Sequence, residues 1–345
     1  MVTRVHQGTM SSALIRMSVE AARLVRVPSH GYAQLLGLTP EHLNDDQCRI
    51  PSATGLRLAE LTARHVSWPE QAMLLVQQSK LGALGVWDYL ITAAPTPLEG
   101  IHDAADYFAT VADVSTDRLE IAVDGGLVTI SHLNQADMDH EAACAIRAYG
   151  LGLYRQRLSE AARRNLIPVK VTLAAKAPRC HDLLIELYGT RAITFEAPTS
   201  TITFLTADLT TPTVHAQPGL STLLRRHADQ TLATAIPLHS WLDLFRTTLS
   251  SVYDEATPTL GVVAQRMNLS VRTLQRRLSE HGSTWNGEIE TLRRDHVTEL
   301  LLHTTLSVDA IAARTGYADA RTVHRAVQRW HGTTPITLRR TGLRS

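Results

Sequence analysis

Between residues 260 and 282 the apolar positions fall on helical spacing, break, and resume. Leu260, Val263 and Ala264 form one stripe, Met267, Asn268 and Leu269 read as a short turn, and Leu274 and Leu278, four apart, form the stripe of a second helix. Residues 308–332 repeat the scheme with Ile311 and Ala312, a turn at Gly316, and then Val323 and Val327. The two stretches align as a degenerate repeat. Val263-Ala264 answers to Ile311-Ala312, and Asn268-Leu269 to Gly316-Tyr317. After the turn the register slips by one, so that RTLQR (272–276) matches RTVHR (321–325). Small Ala264 lets the next helix cross closely, as a helix-turn-helix requires. Ser270 and Asp319 precede the second helix of each unit and are predicted N-caps, because a side-chain oxygen there accepts an orphan backbone N–H.

If Leu274 and Leu278 face inward, Arg272, Thr273, Gln275, Arg276 and Ser279 face outward. The matching outward set in the second unit is Ala320, Arg321, Thr322, His324, Arg325 and Gln328. Arg pairs bidentately with guanine, Gln with adenine, and Thr touches an acceptor or a thymine methyl. In the first two turns of a second helix such residues sit where a recognition helix meets base edges. A solvated helix face is the plainer reading of one charged stripe; two copies with the same capping and the same Arg-Thr-x-x-Arg face argue against coincidence.

Upstream the pattern is mixed. Residues 12–27, 56–66, 69–81, 84–92 and 101–111 read as helices, the last two joined through a Pro-rich turn. Residues 119–123 and 127–131 alternate like strands, and Asp124-Gly125-Gly126 between them is a hairpin signal. A long helix is predicted over 139–165, a strand over 169–173 and a short helix over 181–188 stopped by Gly189. Short strands are predicted over 193–196 and 201–205. After a helix at 220–232, Ile236-Pro237 reads as a break. Residues 241–253 form an amphipathic helix with Leu242, Phe245 and Leu249 on one face, and 254–258 read as a hinge. The fold class is therefore an α+β N-terminal domain followed by an all-α C-terminal domain with two helix-turn-helix units joined by a linker helix. Boundaries are set at 1–235 for the first domain, 236–257 for the connection and 258–345 for the second.

Composition sharpens this division. The whole chain carries a net charge of +1, yet residues 258–345 hold 13 Arg and no Lys against 7 acidic residues. That leaves the C-terminal part at +6 and the remainder at −5, the asymmetry of a phosphate-binding module joined to something else. No apolar run reaches a membrane span of about 18 residues, and the first residues lack the apolar stretch of a signal peptide. Three scattered cysteines, Cys48, Cys144 and Cys180, fit a reduced, cytoplasmic protein.

Catalytic and metal chemistry find little support. His132, His140, Glu141 and Cys144 match no standard ligand spacing, so no metal is expected. His181, Asp182 and Glu186 share one helix with no nucleophile nearby, so the protein is not read as an enzyme and no cofactor is implied. Trp87, Tyr89, Tyr107, Phe108, Phe195 and Phe204 could line an apolar pocket, though aromatics at such spacing more often fill a core.

The C-terminal segment resembles the AraC/XylS transcription regulators through LSVRTLQRRL (269–278), LRRDHVTELL (292–301) and GYADARTVHRAVQRWHGTTPITLR (316–339). The last ends in the family's W-x-G-x-x-P run as Trp330, Gly332 and Pro335. The resemblance implies a seven-helix DNA-binding domain whose base-contacting candidates are Arg272, Gln275 and Arg276, then Ala320, Arg321, Thr322 and Arg325. Thr273 joins them from the outward face. Val323, Val327 and His331 stand where the family often has Phe, and Ala320 cannot hydrogen-bond through its side chain. Both departures imply weaker reading by the second helix. More loosely, residues 81–101 and 167–212 resemble the N-terminal effector domain of the branch that includes ornithine-utilisation and mycobacterial virulence regulators. The implied partners are double-stranded promoter DNA, a small-molecule effector, RNA polymerase and a second copy of the chain, with action as an activator. A constitutive DNA binder whose N-terminal domain only dimerises or binds a protein partner stays open.

Overall fold

The chain enters its fold through a strand, Thr9–Ser11 (β1), that turns straight into the helix Ser12–Leu24 (α1), capped by Ser11, which accepts from the Leu14 amide. A 3-10 turn at Ser29–Gly31 and the short helix Pro40–Asn44 (α2) lead to Cys48–Pro51 (β2). The helices Ser52–Ala63 (α3), Trp68–Gln78 (α4), Val86–Thr92 (α5) and Pro97–Asp106 (α6) follow, then a 3-10 turn at Phe108–Thr110. The strands Asp117–Asp124 (β3) and Leu127–Asn134 (β4) precede the long helix His140–Ala162 (α7). Next come Lys170–Thr172 (β5), Asp182–Tyr188 (α8), Ile193–Thr194 (β6), Thr201–Leu205 (β7), Thr206–Thr210 (α9), Pro218–Thr234 (α10) and Ile236–Pro237 (β8). These positions come from a computed structural model, which describes residues 8–32, 35–213, 218–238, 240–255, 258–267 and 269–342.

Two sheets result. The larger has strand order β3-β4-β7-β5-β6, antiparallel throughout except for the parallel pair β5/β6. Its hairpin turns where expected, with Gly125 and Gly126 both at positive φ. The smaller sheet, β1-β2-β8, corrects the reading of the first hundred residues as helical. Strands of two to four residues are too short for an alternation to register. Ile236-Pro237, read as a break, is one of them, running parallel to β2; the Ile236 amide donates to Gln47 O and the Leu238 amide to Arg49 O, both at 2.8 Å. The helix expected from residue 101 begins at Pro97, because Thr96 accepts from the Glu99 amide and proline is tolerated in the first turn.

The core of this part wraps α7. Trp87, Ile91, Ile101 and Val128 are buried with Leu151, Tyr154 and Leu158 of that helix. A fully buried ion pair crosses it: Arg157 Nε lies 2.6 Å from Asp88 Oδ1, with both side chains at 0% exposure. Arg157 also donates to the carbonyls of Ser79 and Lys80, and Asp88 accepts from the amides of Gly82 and Leu84. With every partner in place the pair orders residues 79–85; removing one side would strand a buried charge at a cost of about 3–5 kcal/mol.

Seven helices complete the described chain: Trp241–Glu255 (α11), Leu260–Arg266 (α12), Val271–Glu280 (α13), Trp285–His303 (α14), Val308–Arg314 (α15), Ala320–His331 (α16) and Pro335–Gly342 (α17). On α11 the buried set is Leu244, Phe245, Leu249 and Val252, with Leu242 only half-buried. Phe245 and Leu249 of the predicted face are buried as expected, with Leu244 rather than Leu242 as their neighbour, and Phe245 packs edge-on against Trp285. Residues 256 and 257 of the expected hinge, and Asn268 of the first turn, lie outside the described residues. The chain divides into two compact units, Met1–Trp241 and Leu242–Ser345; the first is α+β and the second all-α.

Candidate nucleic-acid interface

In the first helix-turn-helix unit, α12 is capped by Thr259 and buries Val263 and Ala264. After the turn, Ser270 Oγ accepts from the Thr273 amide at 3.1 Å and starts α13, which buries Leu274 and Leu278. Arg272, Gln275 and Arg276 are exposed on the opposite face. In the second unit, Ser307 caps α15, which buries Ile311 and Ala312. Asp319 Oδ1 accepts from the Thr322 amide at 2.7 Å, starting α16, which buries Val323, Ala326 and Val327. Arg321 and Arg325 are exposed, and Ala320 is half-buried.

The caps explain the slip in the repeat. Counted from Ser270 or Asp319, arginine stands second, threonine third and arginine sixth on both helices. The extra residue, Ala318, lies in the second turn, so the helices themselves are in register. Two consequences follow. Ala320 occupies the first helical position, where the other unit has Val271, so the lack of a polar side chain there does not distinguish the units. The fifth position holds Gln275 in one helix and His324 in the other. His324 is exposed on the outward face and, by its offset from the cap, is the counterpart of Gln275.

Several of these side chains are already engaged. The Thr273 hydroxyl lies 2.8 Å from Ser270 Oγ, and the Thr322 hydroxyl donates to Asp319 Oδ1 at 2.7 Å, so both threonines brace the caps. Hydrogen bonds from Thr322, first from its side chain and then from its amide, hold the Asp319 carboxyl below its usual range. Arg276 pairs with Glu280 one turn along α13. On α16 the corresponding position is Arg329, which pairs instead with Glu290 of α14 and lies over the Trp330 ring.

The linker α14 carries both units. Near its start Glu288 is buried and receives Arg246 Nε at 2.8 Å and Ser283 Oγ at 2.6 Å. Burial alone would push this carboxyl up, but the bonds from Arg246 and Ser283 outweigh it and hold it low. Further along, Glu290 accepts from Trp330 Nε1 at 3.1 Å, and Val297 and Leu301 pack with Ile311, Val323 and Val327. His331, expected at a core position, is exposed and bonds to the Thr298 hydroxyl at 2.9 Å.

The other notable site is a cavity of about 100 Å3 inside the first unit, between α1, α3, α4, β4 and α7. Of the aromatics considered for a pocket, Trp87 and Phe108 line it, whereas Phe204 is in the core and Tyr89 is exposed. His132 also lines it: its Nδ1 lies 2.7 Å from the Tyr154 hydroxyl, and its Nε2 lies 3.4 Å from Asp117 Oδ1 without hydrogen-bond alignment. Burial raises the Asp117 carboxyl, but the adjacent His132 ring and the bonds from Asn134 and Thr116 overcome that and hold it low. Gln71 Oε1 and Asn134 Oδ1 have no partner, an arrangement that costs roughly 1–3 kcal/mol per group. His140 and Cys144 are 3.6 Å apart and away from His132's partners; among the described residues no group of three His, Cys, Asp or Glu is placed to hold a metal. His181 packs at a tilt against Phe195, and Asp182 receives the Cys180 thiol at 3.1 Å.

Two capped helix-turn-helix units on one shared helix, preceded by an α+β unit with an internal cavity, define the architecture of a transcription regulator. A family model described as the N-terminal arabinose-binding domain of AraC transcription regulators matches residues 27–213, and a helix-turn-helix domain model matches residues 263–341. The ornithine utilization regulator of Pseudomonas aeruginosa is 23% identical over 271 residues, which is 79% of this chain and 78% of that one. An uncharacterized HTH-type transcriptional regulator of Mycobacterium tuberculosis is 33% identical over 85 residues, 25% of each chain, so this match spans a quarter of the relative's length. The crystal structure of the transcriptional regulator CdpR from Pseudomonas aeruginosa aligns over 84% of this chain and 91% of its own, at 18% identity and a TM-score of 0.37. With its N-terminal model alone spanning more than half of the sequence, the chain belongs to the AraC family of transcription regulators. Among the described residues no helix is long and apolar enough to cross a membrane.

Proposed function

We propose that this protein binds double-stranded promoter DNA sequence-specifically and regulates transcription in response to a small-molecule effector. In this reading α13 and α16 enter successive major grooves, about 34 Å apart along one face of the duplex. Arg272, Gln275, Arg276, Arg321 and Arg325 contact base edges, while Thr273, Ala320 and Thr322 lie at the groove-facing start of their helices. The observation that carries the reading is the identical offset of the Arg-Thr-x-x-Arg face from both caps. The 19-residue α14, about 28 Å long at the usual rise, supports it by giving the two units a common rigid spacer.

The effector enters the first unit, and its binding shifts a two-state equilibrium in dimerisation or domain docking that presents the helices to DNA. Residues 1–235 sense and dimerise, 236–257 connect, and 258–345 bind DNA. The protein acts in the cytoplasm as a homodimer and as an activator that contacts RNA polymerase. The internal cavity favours this over a constitutive binder with a merely structural N-terminal domain. Salt-titrated anisotropy on DNA from the gene's own upstream region tests the claim. Wild type should bind selectively, and Arg276→Ala should lose roughly 1–3 kcal/mol at one base position. An equal loss on every sequence, with only a shallower salt slope, would assign the arginine to phosphate and contradict base reading.

A further inference from the structure

The wall of the cavity in the first unit is of two kinds. Leu14, Leu58, Leu75, Trp87 and Phe108 make most of its wall apolar. Gln71, Asp117, His132 and Asn134 make the rest, and these come from α4, β3 and β4. Gln71 is 2% exposed and Asn134 5%, so neither can turn to bulk water.

The orientation of both amides is fixed by their neighbours. Gln71 Nε2 donates to the Ala59 carbonyl at 3.1 Å, and a backbone carbonyl can only accept. Asn134 Nδ2 donates to Asp117 Oδ1 at 2.7 Å, and an ionised carboxylate can only accept. The nitrogen of each amide is therefore the engaged atom, and both oxygens are without a partner. The other polar side chains on the wall are differently placed. Ser18 and Thr62 bond back to the carbonyls of Leu14 and Leu58, and the Tyr149 hydroxyl lies 3.0 Å from Ser79 Oγ. His132 is pinned at Nδ1 by Tyr154 and backed by Gly150, where a Cβ would come within 2.7 Å of that nitrogen.

The polar part of the wall thus offers two unpartnered carbonyl oxygens and a carboxylate, and the one unpartnered ring nitrogen, His132 Nε2, lies 3.4 Å from that carboxylate. We propose that this cavity binds a small, largely apolar molecule whose head group donates hydrogen bonds and carries no negative charge, an amine or an alcohol. The cavity volume is on the scale of one that holds benzene, which limits the ligand to a short aliphatic or single-ring skeleton. A carboxylate of the same shape is disfavoured, since it would set acceptor against acceptor next to Asp117. Water satisfies the polar part alone; an amine or alcohol with an apolar body covers both. The assignment rests on the effector reading above and specifies its ligand chemistry.

The experiment uses the full chain with benzylamine, benzyl alcohol and benzoate, followed by thermal melting and by anisotropy on its DNA. Benzylamine or benzyl alcohol at about ten times its Kd should raise the melting temperature by roughly 3–5 °C, and benzoate should not. Gln71→Leu, which removes one acceptor at similar volume, should weaken binding of the same probe about tenfold. Ala59→Leu, which fills the cavity while leaving the carbonyl that orients Gln71, should abolish it. Benzoate binding as well as its amine, an unchanged affinity in Gln71→Leu, or no shift with any probe at millimolar concentration would each overturn the site. A probe that raises the melting temperature without changing DNA affinity upholds the site and removes the coupling on which the effector reading stands. A change in both upholds both.

Discussion

The two helix-turn-helix units share a geometry and differ in how heavily it is built. Both start their second helix from a side-chain cap and place arginines two and six residues beyond it. The first unit packs through Leu274 and Leu278, the second through Val323, Ala326 and Val327 with Trp330 at the margin. The first ties its outer arginine, Arg276, to Glu280 on the same helix. The second instead spends Arg329 and Trp330 on Glu290 of α14, fastening the recognition helix to the linker. What the comparison teaches is that a recognition face can be conserved within one chain while its support is not. The second unit adds a polar tie between helices to its aliphatic packing.

Removing core volume should break this symmetry most. Leu274→Ala is expected to cost about 2–5 kcal/mol by denaturant titration, and Val323→Ala distinctly less because fewer buried carbons are lost. Equal costs would mean that the second core is not the lighter one. Next in size is the polar tie: Glu290→Ala should destabilise α16 specifically, seen as faster amide exchange there than in α13. Similar exchange in both helices would show the tie to be ornamental. Caps come after, with Ser270→Ala costing about 1 kcal/mol and Asp319→Ala destabilising in the same direction. Asp319 should lose slightly more, because its carboxylate also faces a helix N-terminus.

The smallest effect is acid sensitivity. Glu288 has its folded value held below the ordinary one, so its stabilisation is complete above about pH 4.5. It is lost as the pH falls through the lower folded value. Melting of the wild type between pH 5.5 and 3.5 should therefore fall more steeply than that of Glu288→Gln; parallel curves would remove the Arg246 pair as a contributor.

Much of this was legible in the residues, for identifiable reasons. Helical period, with Ser270 and Asp319 as caps of α13 and α16, placed α12, α13, α15 and α16 to within a residue or so, because those signals are local. The β3/β4 hairpin followed from alternation around Asp124-Gly125-Gly126. The three-stranded sheet was hidden, since β1, β2 and β8 are short and β8 joins β2 from a distant part of the sequence. The polar part of the cavity wall was hidden for the same reason: residues 71, 117, 132 and 134 meet only when α4 and the hairpin pack around α7. The register slip is visible in the sequence, and the two predicted caps, Ser270 and Asp319, account for it by placing the extra residue, Ala318, in the second turn.

The most direct test of the account is a base-preference profile from a randomised duplex library, taken for wild type, Arg276→Ala and Arg325→Ala. Two blocks of preference about one helical turn apart are expected, with each substitution flattening a different block and leaving the other intact. One block that vanishes in Arg276→Ala and is untouched by Arg325→Ala would contradict the equivalence of the two faces.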